Sequence, residues 1–158
     1  MTKRFFPILG KDSFSKSWVP GNLPDGPVVD LGCGNGIISR LLAMHTNKKL
    51  ICVDRRQGAI DATREKMRGL KCSFLLNDVC CLGIKDNTCS LVFASRIFSN
   101  VENKKLLLKE AVRVLKLGGY LVIVDYQKCL NFFKKTKLPF SDVESPKNMI
   151  AMVLKKGI

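Results

Sequence analysis

The 158-residue sequence is short of negative charge: 13 Asp and Glu stand against 27 Lys and Arg, a formal net charge of +14. A surplus of that size creates a long-range field that attracts polyanions, nucleic acid among them, or simply keeps the surface solvated. Histidine occurs once, as His45, which leaves little for imidazole-based chemistry. No apolar run approaches the ~20 residues of a membrane-spanning helix. The short apolar patch near the start is broken by Pro7, which argues against a secretory leader. These absences point to a cytoplasmic protein with no membrane partner. There are no repeats, low-complexity tracts or obvious linkers, and the length suits one domain over residues 1–158 with a sizeable core.

Cysteine is not lacking, but its pattern excludes two uses. The seven cysteines are odd in number and mostly sit in apolar runs, unlike a secreted disulfide framework. Cys72, Cys80, Cys81 and Cys89 are evenly spread, yet no Cys-x-x-Cys knuckle occurs, so no metal is expected. Buried reduced thiols are the simpler reading.

What the sequence does have is alternation. Apolar runs at Pro27–Leu31, Lys49–Asp54, Cys72–Leu76, Ser90–Ala94 and Tyr120–Asp125 read as strands. Amphipathic stretches at Ile37–His45, Gly58–Arg68 and Asn103–Leu117 read as helices between them. That is the pattern of βα units around a parallel sheet. Gly118-Gly119 is expected to stop the third helix. A short basic helix over Gln127–Thr136 and two strands, Leu138–Ser145 and Asn148–Lys155, complete the chain, the last pair antiparallel because its connection is short. The expected organisation is an arm (1–24), a core (25–125) and a C-terminal helix and hairpin (126–158).

The richest stretch is Val28-Val-Asp-Leu-Gly-Cys-Gly-Asn-Gly36. A strand runs into Asp30, then three glycines follow as Gly-x-Gly-x-Gly, and a helix starts at once. Glycine allows a tight turn and lets a ligand approach bare backbone, while the helix N-terminus offers free amides. Dinucleotide sites also use a glycine turn, but their third glycine would fall at Ile37, whose branched side chain opposes close pyrophosphate packing. Asp30 suits a cationic or amine-bearing ligand better than a diphosphate.

This run resembles the first signature of the class I S-adenosylmethionine-dependent methyltransferases, particularly the small-molecule and quinone-biosynthesis type (methyltransferase type 11). The likeness covers about residues 25–125. It implies a Rossmann-like three-layer α/β/α sandwich, with a mostly parallel seven-stranded sheet and an antiparallel C-terminal hairpin. It also implies S-adenosylmethionine as cofactor. Asp30, Gly32, Cys33, Gly34 and Gly36 would form the binding loop. Asp54, ending the second strand, would take both ribose hydroxyls, a bidentate job for a carboxylate, although a helix cap is the plainer use. Arg55 departs from the usual apolar residue against adenine, and a guanidinium plane can stack there instead. The Arg55-Arg56 pair would also suit a 2′-phosphate, the best point for an NADP-dependent alternative. Asp78 and Val79 would contact the adenine, unless they form an ordinary Asx turn. Arg113–Val124 resembles the family's helix, glycine turn and fifth strand, with Leu117 in place of a proline, and Ser90 stands where relatives often carry Asp.

Methyl transfer from a sulfonium is an in-line displacement, so the protein mainly aligns the acceptor and excludes water. Ser95 and Arg96 would border the cofactor's methionine end. Arg96, which could hold an anionic acceptor, and Tyr126 at the end of strand five are the weak catalytic candidates. His45 lies late in a helix, away from that face. No Asn/Asp-Pro-Pro-Tyr/Phe or Pro-Cys pair follows strand four, against adenine-amine and covalent pyrimidine routes. The short arm, with Trp18 as either lid or staple, leaves the acceptor pocket open. That suits a macromolecular acceptor (RNA or protein), or a pocket completed by a second subunit or homodimer. A small-molecule acceptor stays viable. Lys3, Arg4, Lys11 and Lys16 in the arm, and Lys128, Lys134, Lys135 and Lys137 among Tyr126, Phe132 and Phe133, interleave cations with aromatics as nucleic-acid binders do. The alternative is a non-catalytic cofactor-binding or partner subunit of a methyltransferase complex.

Overall fold

Continuous apolar runs become strands buried on both faces, and amphipathic stretches with helical periodicity cover them. The computed structural model describes residues 14–143, 145 and 147–157. In chain order it contains β1 (Val28–Leu31), α1 (Ile37–Thr46), β2 (Leu50–Asp54), α2 (Gln57–Lys66), β3 (Cys72–Leu76) and β4 (Cys89–Ser95). Then follow α3 (Lys104–Val114), β5 (Leu115–Tyr126), α4 (Leu130–Thr136), β6 (Ser141–Val143) and β7 (Met149–Lys155). The sheet has seven strands in the order β3-β2-β1-β4-β5-β7-β6. β1 to β5 run parallel, and β7 pairs antiparallel with both β5 and β6. This is the Rossmann-like sandwich the sequence implied.

Successive strand residues point to opposite faces, which splits the core in two. Val29, Leu31, Val92 and Ala94 pack with Leu107, Ala111 and Phe133 from α3 and α4. Val28, Leu91 and Phe93 pack with Ile38, Leu42 and Ile60 from α1 and α2. Trp18 is buried in that second cluster, with Phe14 edge-on at 6.3 Å, so it staples the arm to the sheet and is no lid. Ser90, at the position where an acid was expected, donates its hydroxyl to the carbonyls of Gly26 and Pro27 and ties β4 to the approach to β1. Lys3, Arg4 and Lys11 lie outside the described residues.

Three stretches depart most from the sequence reading. The helix expected over Asn103–Leu117 ends at Val114, and the fifth strand starts at Leu115. Asn103 is the cap, its side chain accepting from the Leu106 amide at 3.0 Å. At the other end the amides of Asn87 and Thr88 take the carbonyls of Arg113 and Val114, so the helix needs no glycine to finish it. The glycine pair lies inside β5 instead. Gly118 has φ +76°, and a side chain on Gly119 would strike the Cys89 and Ser90 carbonyls at about 3 Å. The pair forms an irregularity where β5 runs close beside its parallel neighbour β4 and the register shifts. Gln127–Cys129 is a 3-10 turn leading into α4, and the strand expected over Leu138–Ser145 shortens to β6. Pro139 offers no amide to a ladder there.

Candidate functional site

The sheet order reverses between β1 and β4, and the crevice outside their carboxyl ends is where ligands bind in open α/β sheets. Two adjoining cavities of about 540 and 510 Å³ occupy it, and they share Gly32, Arg56, Ser95 and Arg96 as walls. The first is completed by Asp30, Cys33, Gly34 and Asn35 with the start of α2, the second by Asp54, Arg55, Asp78 and Val79.

The glycine loop is built for bare backbone. The amides of Gly32 and Cys33 both donate to the Val53 carbonyl, at 2.7 and 2.9 Å, which carries β1 past its last residue. Gly32 and Gly34 take φ of +70° and +56°, a region side chains rarely enter. Gly36, also at φ +77°, does not face either cavity. A side chain there would meet the Thr63 Cα at 2.8 Å, so its role is to let the loop press against α2. Thr63 itself is fully buried, and its hydroxyl donates to the Gly34 carbonyl at 3.1 Å.

Asp30 and Asp54 differ sharply in their surroundings. Asp30 is buried and accepts the Ser39 hydroxyl at 2.5 Å. Burial pushes its carboxyl up to about 7, the Ser39 bond opposes this, and the charge of Asp54 adds to it. Asp54 is buried too, and burial works to raise its carboxyl, but hydrogen bonds from Arg56 and Gly34 outweigh this and hold it below its ordinary value. One of its oxygens accepts the Arg56 amide at 3.0 Å and Nε at 3.2 Å. The other accepts the Gly34 amide at 3.1 Å and the Arg56 guanidinium at 3.4 Å.

The remaining sequence candidates divide. Ser95 and Arg96 stand at the junction of the two cavities. Arg96 holds φ +52°, fixed by its amide on the Val124 carbonyl and its carbonyl accepting from Asn100 Nδ2, each at 2.7 Å. A non-glycine residue kept in that conformation is uncommon and tends to mark a functional site. Arg55 is exposed on the wall of the second cavity, and Arg56, not Arg55, engages the carboxylate. The Asp78 carboxylate accepts the Cys80 amide at 2.7 Å, the Asx-turn geometry, while its side chain remains exposed on the cavity wall. Tyr126 is not brought to the site. It lies at the end of β5, outside both cavities, with Lys128 over its ring.

Thr63 and Ser39 were missed by sequence reasoning, and Arg56 was considered only for a 2′-phosphate, not as the partner of Asp54. A signal existed for the first two: both fall on the buried stripe of an amphipathic helix, as polar residues that must find partners.

The methyltransferase-domain family matches residues 29–123. The chain belongs to that family. Similar solved structures agree in fold. An S-adenosylmethionine-dependent methyltransferase from Aquifex aeolicus superimposes with a TM-score of 0.75 at 20% identity, over 87% of this chain and 85% of that one. A chain from the complex of a methyltransferase activator with a methyltransferase of Haloferax volcanii gives 0.69 at 17%, over 87% and 86%. This methyltransferase domain therefore takes S-adenosylmethionine as its cofactor, and the NADP-dependent alternative is set aside. The residues present fit that ligand. The side-chain-free loop at Gly32 and Gly34 and the amide-held carboxylate of Asp54 are a floor and an acceptor suited to an adenosyl group.

Proposed function

We propose that the chain is an active methyltransferase that moves the methyl of S-adenosylmethionine to an acceptor entering beside Ser95 and Arg96. The observation that carries this reading is the continuity of the two cavities through Gly32, Ser95 and Arg96. One crevice can thus hold a nucleoside and present its far end to a second molecule. The cofactor supplies an already activated methyl, so the residues need only bind, orient and exclude water.

In this reading Asp54 takes the ribose hydroxyls. Its two backbone donors, the amides of Gly34 and Arg56, fix the carboxylate in advance, while the Arg56 side chain, 68% exposed, turns aside. Asp30 lies beneath the glycine loop as the counter-charge for a cationic ligand. Val79 and the exposed Asp78 border the base, with Arg55 across from them. Arg96, held rigidly by its backbone, offers its guanidinium to the acceptor.

Incubating the purified chain with methyl-labelled cofactor and fractionated cell extract tests the proposal. Label should pass into one fraction. Binding of S-adenosylhomocysteine with no transfer into any fraction would instead make the chain a non-catalytic subunit.

A further inference from the structure

A groove of about 710 Å³ runs between α3 and α4, away from the cofactor crevice. Its α3 wall is a helical stripe, Lys105, Leu108, Lys109, Val112 and Arg113, and its α4 wall is Phe132, Lys135 and Thr136. These spacings put each set on one helix face. The groove joins the crevice through a cavity of about 550 Å³ that shares Glu102 and Asn103 with the crevice and Lys105 and Phe132 with the groove. The result is a continuous path from Arg96 across the protein surface.

The chemistry of the groove itself is one-sided, whereas the linking cavity carries Glu102. Five cations line the groove and, among the described residues, no acid does. Arg113 is engaged with Glu110 and Asp86, and Lys156 donates to Asn87 and to the Val112 and Leu115 carbonyls. Lys105, Lys109 and Lys135 remain, all exposed. Between them lies the half-buried ring of Phe132, braced from behind by Phe98 and Phe133 with centroids at 6.2 and 5.1 Å. A fixed aromatic face flanked by lysines fits a strand that carries flat bases on a phosphate backbone.

We infer that this groove binds single-stranded RNA and leads it to the cofactor crevice, so that the acceptor is a nucleotide of that strand. The acceptor role rests on the methyltransferase reading above; the binding does not. Continuity with the crevice and the braced ring favour RNA over an acidic protein, which would use the lysines but has no need of the ring.

The test is fluorescence anisotropy with a labelled single-stranded RNA of about 12 nucleotides, run in parallel with calorimetry of S-adenosylhomocysteine. The variant carrying Lys105→Glu, Lys109→Glu and Lys135→Glu alters only exposed side chains. It should weaken RNA binding at least about tenfold and flatten the salt dependence by about 0.7 per lysine removed. Phe132→Leu, which keeps most of the packing, should cost about tenfold with little change in that slope. Unchanged RNA binding in the lysine variant would overturn the inference. So would equal affinity for duplex RNA, or displacement by polyglutamate at matched charge. S-adenosylhomocysteine binding should be the same in all variants. If it were absent while RNA binding followed the groove, the methyltransferase reading would fail and the groove would stand.

Discussion

The two sides of this molecule are organised differently. Around β1, β2 and α2 the side chains that matter are buried and tied to one another: Ser39 to Asp30, Thr63 to Gly34, Gly34 and Arg56 to Asp54. Across α3 and α4 the conspicuous side chains are exposed lysines around one ring. The first region behaves as a machined part, since moving one member strands a buried polar partner. The second acts by charge and tolerates substitution singly. On the proposed reading, a fixed cofactor uses the former and a variable acceptor the latter.

The sharpest way to break the comparison is at Asp54. Asp54→Ala should lower S-adenosylhomocysteine affinity by about a hundredfold in calorimetry, the loss expected for two hydrogen bonds to a charged group. A loss under about threefold would mean that the buried side is not the nucleoside site. Gly36→Ala should act on stability instead. It forces φ +77° on a side chain that also meets the Thr63 Cα at 2.8 Å, and about 2 kcal/mol of destabilisation is expected in chemical unfolding. Gly58→Ala, with open space around its added carbon, serves as the control and should change little.

Asp30 gives the comparison a pH axis. Its carboxyl sits at about 7 in the folded chain against 3.8 for an ordinary aspartate. Between those limits the unfolded chain binds fewer protons, so stability falls as pH rises from about 4 to about 7 and then levels. A cationic cofactor prefers the ionised carboxyl, so its affinity should rise over the same window, by up to about fivefold between about pH 6 and pH 7. Thermal unfolding and cofactor titrations across that range should therefore slope in opposite directions. Asp30→Asn should flatten both.

The same contrast explains what the sequence could convey. The loop from Asp30 to Gly36 was legible because backbone geometry demands glycine, and glycine spacing survives in one dimension. The core strands were legible because apolar runs bounded by turns leave few alternatives. The end of α3 was not. Gly118-Gly119 looks like a helix stop, but Asn87 and Thr88, some 30 residues earlier in the chain, cap the helix before it gets there. Arg56 was invisible as the partner of Asp54, since two adjacent arginines offer no local reason to prefer one. Tyr126 was nominated for ending a central strand, and the short turn after it leaves the ring outside the crevice. The groove was legible only on its α4 side, where Lys135 and Phe132 stood among interleaved cations and aromatics; the α3 stripe that completes it gave no signal. The groove arises from two helical stripes brought together by the sheet.

The smallest expected effect is the most discriminating. Arg56 covers the Asp54 carboxylate, and if that carboxylate takes the ribose as proposed, the side chain must leave for the ligand to enter. If so, Arg56→Ala removes a competitor and should tighten S-adenosylhomocysteine binding by about two- to fivefold. Its backbone amide still holds the Asp54 oxygen, so the carboxylate stays in place. The ion pair that is lost is mostly solvent-exposed on the arginine side, where such pairs contribute little stability, so the melting temperature should hardly move. If Arg56 instead stacks on or pairs with the ligand, the same substitution weakens binding. The sign of a few-fold change in one titration thus decides whether this arginine guards the nucleoside site or belongs to it.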